Sequence, residues 1–188
     1  EKIVPVLRTY PSLKIWVAGC SNGEEVYSLA ILLHEEGLLA RTLIYATDIN
    51  PHALQKAEAG LYDVKLIAGF TENHRQSGGR VSLSNYYTAA YGAALFNKSL
   101  KKHIVFSDHS LATDSVFAEM QLVSCRNVLI YFDRELQDRA VGLFRESLCY
   151  NGFLGLGSRE TLRFSRHADA FVPLLHDERI YQKKEAGA

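Results

Sequence analysis

The sequence predicts an α/β fold: a mostly parallel, twisted sheet with helices on both faces. Three observations predict it. Apolar, strand-like runs alternate with amphipathic stretches over 15–59, the alternation returns over 120–156, and the chain closes on a hairpin pattern over 171–183. Alternation in this order builds parallel strands joined by crossover helices, and the closing hairpin adds an antiparallel edge.

In chain order, Ile15 to Ala18 is a buried strand. Glu24 to Glu36 follows as a helix, because Val26, Leu29, Ala30 and Leu33 fall at i, i+3, i+4 and i+7, and Gly37 stops it. Leu43 to Thr47 is a second apolar strand, and Asn50-Pro51 supplies an N-cap and a first-turn proline for a helix running to Ala59. Met120 to Ser124 reads as another buried strand and Arg134 to Leu148 as an amphipathic helix. Asn151-Gly152 marks the turn into a strand over Phe153 to Leu156, and 171–183 is the final hairpin. One region departs from this rhythm. From Thr71 to Lys102 the chain is polar, carries "SGG" and then alternates through "RVSLSNYYTAAY", which predicts an inserted antiparallel hairpin, with a helix over 89–100 as the competing pattern. Insertions of this kind on a doubly wound core often carry partner or substrate specificity.

Bulk composition narrows the function classes. The 188 residues suit a single domain over 1–188 with one full core. Lys and Arg number 21 against 21 for Asp and Glu, so no global field recruits nucleic acid or an acidic membrane surface. A small molecule or a protein is the expected partner. The cysteines Cys20, Cys125 and Cys149 are odd in number and set in apolar surroundings, which suits reduced thiols and a cytoplasmic location. No apolar run reaches the roughly 20 residues that span a bilayer. The seven histidines form no H-x-H or H-x-x-x-H pair, so no metal site is expected. The start at Glu1 runs almost directly into a core strand, which reads as one domain cut from a longer protein.

The stretch Lys14 to Ser28, "KIWVAGCSNGEEVYS", places a glycine turn and two acids at a strand-to-helix junction. Open α/β sheets bind ligands outside the carboxyl ends of their strands. Gly19 and Gly23 let the backbone turn sharply and leave room for a ligand against the main chain, while the following helix offers unpaired N–H groups. A dinucleotide would require G-x-G-x-x-G and no carboxylates at its phosphates. Here the spacing is G-x-x-x-G and Glu24 and Glu25 follow at once, which favours a cationic ligand. S-adenosylmethionine, with an ammonium, a sulfonium and no phosphate, is such a ligand. Asp48 ends the second strand, where an acid in this fold accepts hydrogen bonds from ribose hydroxyls; alternatively it begins the turn that leads to Asn50. A third stretch, "SCRNVLIYF", brings Arg126 and Asn127 out of a buried strand at the same edge. Tyr131 follows Asn127 by four residues, so a helical turn would set them on one side. The competing reading packs Tyr131 on the next helix and pairs Arg126 with a surface acid.

Together, "AGCSNGEEVYSLA", "ATDIN", "KAEAGLY", "CRNVLIYF" and "GFLGLGSRETL", in this order and spacing, resemble the CheR-type protein-glutamate O-methyltransferases of bacterial chemotaxis. The likeness runs from Ile15 to Lys183. It implies a Rossmann-like methyltransferase domain binding S-adenosylmethionine and releasing S-adenosylhomocysteine, with a small antiparallel subdomain that 71–102 would form. It also implies a receptor-like protein substrate whose glutamate side chains are methylated. By the same resemblance Gly19 belongs to the cofactor loop, Glu25 holds the methionine part, Asp48 the ribose, and Ser110 and Leu111 lie near the adenine. Arg126 and Asn127 line the pocket, and Tyr131, with Arg126, stands beside the transferred methyl. Three departures qualify this. Asn22 replaces a smaller residue, Ser110 replaces an Asn, and the family's upstream segment and N-terminal helical domain are expected to be absent. That last departure keeps a second reading open, a non-catalytic sensor or interaction domain that binds the cofactor or its product.

Overall fold

The computed structural model describes residues 2–184. In chain order its elements are α1 (Ile3–Leu7), β1 (Leu13–Ala18), α2 (Glu24–Glu35), β2 (Thr42–Asp48), α3 (Pro51–Ala59), β3 (Leu61–Asp63), α4 (Val64–Gln76), β4 (Tyr87–Ala90) and β5 (Ala93–Phe96). They continue as α5 (Lys98–Lys101), β6 (Ile104–Asp108), β7 (Met120–Cys125), α6 (Arg134–Ser147), β8 (Leu148–Leu156), β9 (Phe171–Leu175) and β10 (Ile180–Lys183). Among the described residues, seven strands belong to the main mixed sheet and three to a small antiparallel one. The described residues divide into two compact units, one made of those up to Gly19 together with those from His109 on, the other of Cys20–Asp108.

In the first unit β1 pairs in parallel with β7 and β7 with β8, while β10 joins β8 and β9 in antiparallel fashion. Parallel strands covered on both faces should be apolar throughout, and β1, "LKIWVA", has only Lys14 exposed. Trp16 is fully buried, its ring edge-on to His109, Phe117 and Phe144 with centroids 5.1, 5.2 and 5.6 Å away. Burying a large aromatic and its neighbours in this way contributes roughly 1.5–3 kcal/mol per side chain. Helix α6 begins at the Asp133 cap, whose Oδ1 accepts the Leu136 N–H at 2.9 Å.

In the second unit β2 and β6 run parallel in the register Ile44↔Ile104 through Asp48↔Asp108. Helix α3 starts as its sequence demands, with the Asn50 side chain accepting from His52 and Ala53 N–H groups and Pro51 at the first position. The small sheet runs β3-β5-β4. Its β4–β5 hairpin turns on Tyr91 and Gly92, with φ of 52° and 78°, the left-handed pair that matches strand twist in a two-residue loop. Tyr62 of β3 and Phe96 of β5 pack on Tyr27 of α2, with centroid separations of 6.1 and 5.1 Å from the Tyr27 ring. Tyr86 is buried and Tyr91 projects fully into solvent at the hairpin tip.

Several boundaries differ from expectation. The chain enters through a one-turn helix, α1, before β1. Helix α4 runs through Gln76 and so occupies the first residues of the stretch expected to be non-helical. Of 89–100, the β5 residues are strand and only Lys98 onward is helical. Asn151-Gly152 is a bulge inside β8 rather than a turn before it: Asn151 has φ of 59°, and the β7–β8 register slips between Met120 and Leu122.

Candidate functional site

In the second unit the chain after Gly19 is a tight series of backbone bonds. Cys20 N–H donates to the Thr47 carbonyl at 2.8 Å and Gly23 N–H returns to the Cys20 carbonyl at 2.9 Å. Ser21 and Gly23 take φ of 49° and 90°, and Gly23 caps α2 without a side chain, leaving the N–H groups of the first helical turn uncovered by any cap. A Cβ on Gly23 would lie 2.8 Å from that of Ala57, so this position takes only glycine.

Asp48 does two things here. Its Oδ2 accepts the Ser21 N–H at 2.8 Å and its Oδ1 the Asn50 N–H at 2.9 Å, so it both clips the loop and opens the turn into α3. Each oxygen retains a lone pair, which leaves the carboxylate able to accept from two hydroxyls. Glu24 and Glu25 stand half-buried in the first turn of α2. The field of these acids is visible on Cys20: burial pushes its thiol up to about 12, and Asp48, Glu24 and Glu25 push in the same direction. Tyr62 is raised above its ordinary value by burial first and by Glu24 next, and its hydroxyl donates to the Asn22 carbonyl at 2.8 Å. A loop with open N–H groups and a negative field suits a ligand that pairs a cation with ribose hydroxyls.

In the first unit, Gly19 has φ of 75° and a Cβ there would approach Val128 Cγ2 to 2.4 Å. Strand β7 ends at the buried Cys125, after which Arg126 and Asn127 emerge into solvent. Asn127 is left-handed, with φ of 59°, and the helical residues that follow are one 3-10 turn, Leu129–Tyr131. The expected side-by-side placement of Asn127 and Tyr131 on a helical turn is therefore corrected, since a left-handed residue cannot begin that turn. Tyr131 is 81% exposed rather than packed on the following helix. Arg126 has no ion-pair partner among the described residues. Ser110 and Leu111 open a turn: Ser110 N–H donates to Asp114 Oδ2 at 2.9 Å, its hydroxyl accepts the Ala112 N–H at 3.3 Å, and Leu111 is buried.

The residue that sequence reasoning missed is Glu160. It is 4% exposed, and its carboxylate accepts four backbone N–H groups: Val128 and Leu129 on Oε1, both at 2.8 Å, and Asn127 and Gly157 on Oε2, at 3.0 and 2.6 Å. This single side chain holds the "RNVL" loop in shape. No periodicity marks it, because a lone Glu in "GSRETL" looks like any surface acid. Its only signal is the preceding Gly157: a Cβ there would stand 2.7 Å from Glu160 Oε2 and 2.8 Å from Asn127 N. Glu25 and Asp48 thus belong to the second unit, and Gly19, Ser110, Leu111, Arg126, Asn127 and Tyr131 to the first.

The chain is 61% identical, over 97% of its length, to Cher3 of Pseudomonas putida, whose name classes it with the methyltransferases, and it spans 67% of that protein. It is 34% identical over 80% of its length to a chemotaxis protein methyltransferase of Listeria innocua, of which it spans about half, 54%. Among solved structures, the N-methyltransferase NodS of Bradyrhizobium japonicum in complex with S-adenosyl-L-homocysteine aligns with a TM-score of 0.53 at 14% identity, covering 97% of this chain and 84% of NodS. The DszA carbon methyltransferase aligns with a TM-score of 0.51 at 16% identity, over 87% of this chain and 33% of DszA. At such identities these two establish the fold alone, which is Rossmann-like. No helix among the described residues is long and apolar enough to cross a membrane. The family described as "CheR methyltransferase, SAM binding domain" matches residues 1–176, and on that match the chain belongs to the CheR methyltransferases, whose cofactor is S-adenosylmethionine.

Proposed function

We propose that this chain transfers a methyl group to the side-chain carboxylate of a glutamate in a receptor-like signalling protein of the cytoplasm. The observation that carries the proposal is the acidic glycine loop, with Asp48 clipped to Ser21, in a chain of the CheR family. Its carboxylates and open N–H groups fit S-adenosylmethionine and would repel the phosphates of a dinucleotide. When bound, S-adenosylmethionine supplies an electrophilic methyl on a sulfonium, so the new O–C bond forms as the S–C bond breaks and the electron pair leaves on sulfur.

The chain's own part is modest in acid–base terms. A glutamate with a pKa near roughly 4.3 is already ionised at neutral pH, so no general base is required. Positioning is what remains, and correct placement of two reactants is worth up to about 7–11 kcal/mol. In this reading, within the second unit, Glu25 pairs with the cofactor's ammonium and Asp48 accepts from its ribose hydroxyls; in the first unit, Gly19, Ser110, Leu111 and Asn127 are assigned to cofactor binding, and Arg126 and Tyr131 to orienting the acceptor oxygen.

The test combines binding with product chemistry. Wild-type protein, Asp48→Ala and Tyr131→Phe are titrated with S-adenosylhomocysteine by calorimetry, then incubated with labelled cofactor and receptor-rich membranes of Pseudomonas putida. Asp48→Ala should weaken product binding at least about ten-fold, whereas Tyr131→Phe should lower turnover with little change in affinity. The label should leave as methanol under mild alkali, as an ester requires. A base-stable label, or equal loss of affinity in both variants, would overturn the assignment.

A further inference from the structure

A cleft of about 90 Å³ opens in the first unit between the 3-10 turn Leu129–Tyr131, the start of α6 and the loop after β8. Its acids are already engaged. Asp138 accepts from Ser165 Oγ at 2.7 Å and from the Arg166 backbone and guanidinium, and the Glu160 carboxylate is filled by its four N–H groups. Its cations are not. Arg134 and Arg159 line the cleft and Arg163 stands beside it, and none has a carboxylate within ion-pair distance among the described residues. Two of them flank one aromatic ring: the guanidinium carbons of Arg134 and Arg163 lie 5.3 and 5.8 Å from the centroid of Phe164, which is 67% exposed.

These groups stand on fixed supports. Arg134 is the first residue of α6 behind the Asp133 cap, and Arg159 is next to the fully bonded Glu160. Ile130, on the same short turn as Tyr131, adds a half-exposed apolar wall.

We infer that this cleft docks an acidic segment of the protein substrate, with carboxylates on Arg134, Arg159 and Arg163 and an apolar side chain against Phe164 and Ile130. The inference rests on the reading of the acceptor as a glutamate in a protein, and it adds that further acids flank that glutamate. A cluster of three uncompensated guanidiniums around an aromatic ring recognises carboxylate and apolar groups together. A nucleic acid is the weaker fit, because the chain carries equal numbers of cationic and anionic residues and so no global field that would draw a phosphate backbone.

The test measures anisotropy of a fluorescein-labelled helical peptide rich in Glu-Glu pairs and containing one Leu, against its all-Gln counterpart and a labelled DNA duplex, with protein saturated in S-adenosylhomocysteine. The variants are Arg134→Glu/Arg159→Glu/Arg163→Glu and the milder Arg134→Gln/Arg159→Gln/Arg163→Gln. Expected are binding of the acidic peptide that falls on raising salt to about 0.15 M, a loss of about ten-fold or more in the charge-reversed protein, a smaller loss in the Gln variant, and unchanged affinity for S-adenosylhomocysteine. Equal binding of the Gln peptide, tighter binding of DNA, or a matching loss of product affinity would each overturn the inference while leaving the functional reading intact. Failure of the wild-type chain to bind S-adenosylhomocysteine at all would instead overturn the functional reading on which it rests.

Discussion

Replacing Glu160 by Gln removes one acceptor oxygen from a carboxylate that serves four backbone donors. Whichever oxygen survives can still accept its two N–H groups, Val128 and Leu129 or Asn127 and Gly157; the amide NH₂ then confronts the other two. Each buried donor left unpaired costs about 1–3 kcal/mol, so the substitution should destabilise the protein by about 2–6 kcal/mol, with about 3 kcal/mol after local relaxation. Against a total stability of about 5–15 kcal/mol this is a large fraction. With an m-value of about 2 kcal/mol/M, the urea midpoint should fall by about 1.5 M. The assay is equilibrium urea unfolding followed by far-ultraviolet circular dichroism, with the exposed Glu178→Gln as control. A shift in Glu160→Gln no greater than that control would refute the claim that this carboxylate holds the Arg126–Leu129 loop.

Three further outcomes follow from other positions. Gly19→Ala should cost about 2–4 kcal/mol, part from forcing a residue with φ of 75° and part from the clash with Val128; adding Val128→Ala should recover only the steric part, and full recovery would show that the left-handed backbone imposes no strain. The Ser165 hydroxyl and Arg166 lower Asp138 from 3.8 to about 2, so its contribution to stability should be complete above about pH 4 and vanish as pH falls towards 2; a stability gap between wild type and Asp138→Asn that widened on acidification would contradict this. Cys20, buried and with its thiol pushed up to about 12, should react with iodoacetamide at pH 8 far more slowly than in urea, and equal rates in the two conditions would show that the glycine loop opens freely.

What could be read from the sequence was whatever local physics determines. The strand-helix alternation, the Asn50-Pro51 start of α3 and the glycine turn before α2 are set by residues within a few positions of one another, and each appears where its pattern places it. The short strand β3 and strand β6 escaped because three or five residues without clean alternation carry too little period to be seen. Helix α4 was hidden because its polar composition resembles a loop, with Ile67 its one buried side chain. At the site, the acids beside the glycines were legible, since charge next to an open backbone is a local statement. Glu160 was not, because its meaning depends on four N–H groups, three of them about thirty positions earlier in the chain, which only the fold brings within reach.

Trp16 is the chain's single tryptophan, and its ring leans on His109, Phe117 and Phe144. The nearest of those in sequence follows it by 93 residues (109 minus 16), and Ile15, its neighbour on β1, finds its β7 partner Leu122 after 107 (122 minus 15). On a ribosome adding about 5–20 residues per second, this strand therefore emerges and waits several seconds or more for β7. Such non-local pairing makes for slow folding, and during the delay an indole with two strongly apolar neighbours is open to any holdase that binds greasy, extended segments. Indole emission thus serves as a clock for assembly of the first unit: nascent chains halted before His109 should fluoresce red, and the shift to the blue should come only once the chain extends past Phe144.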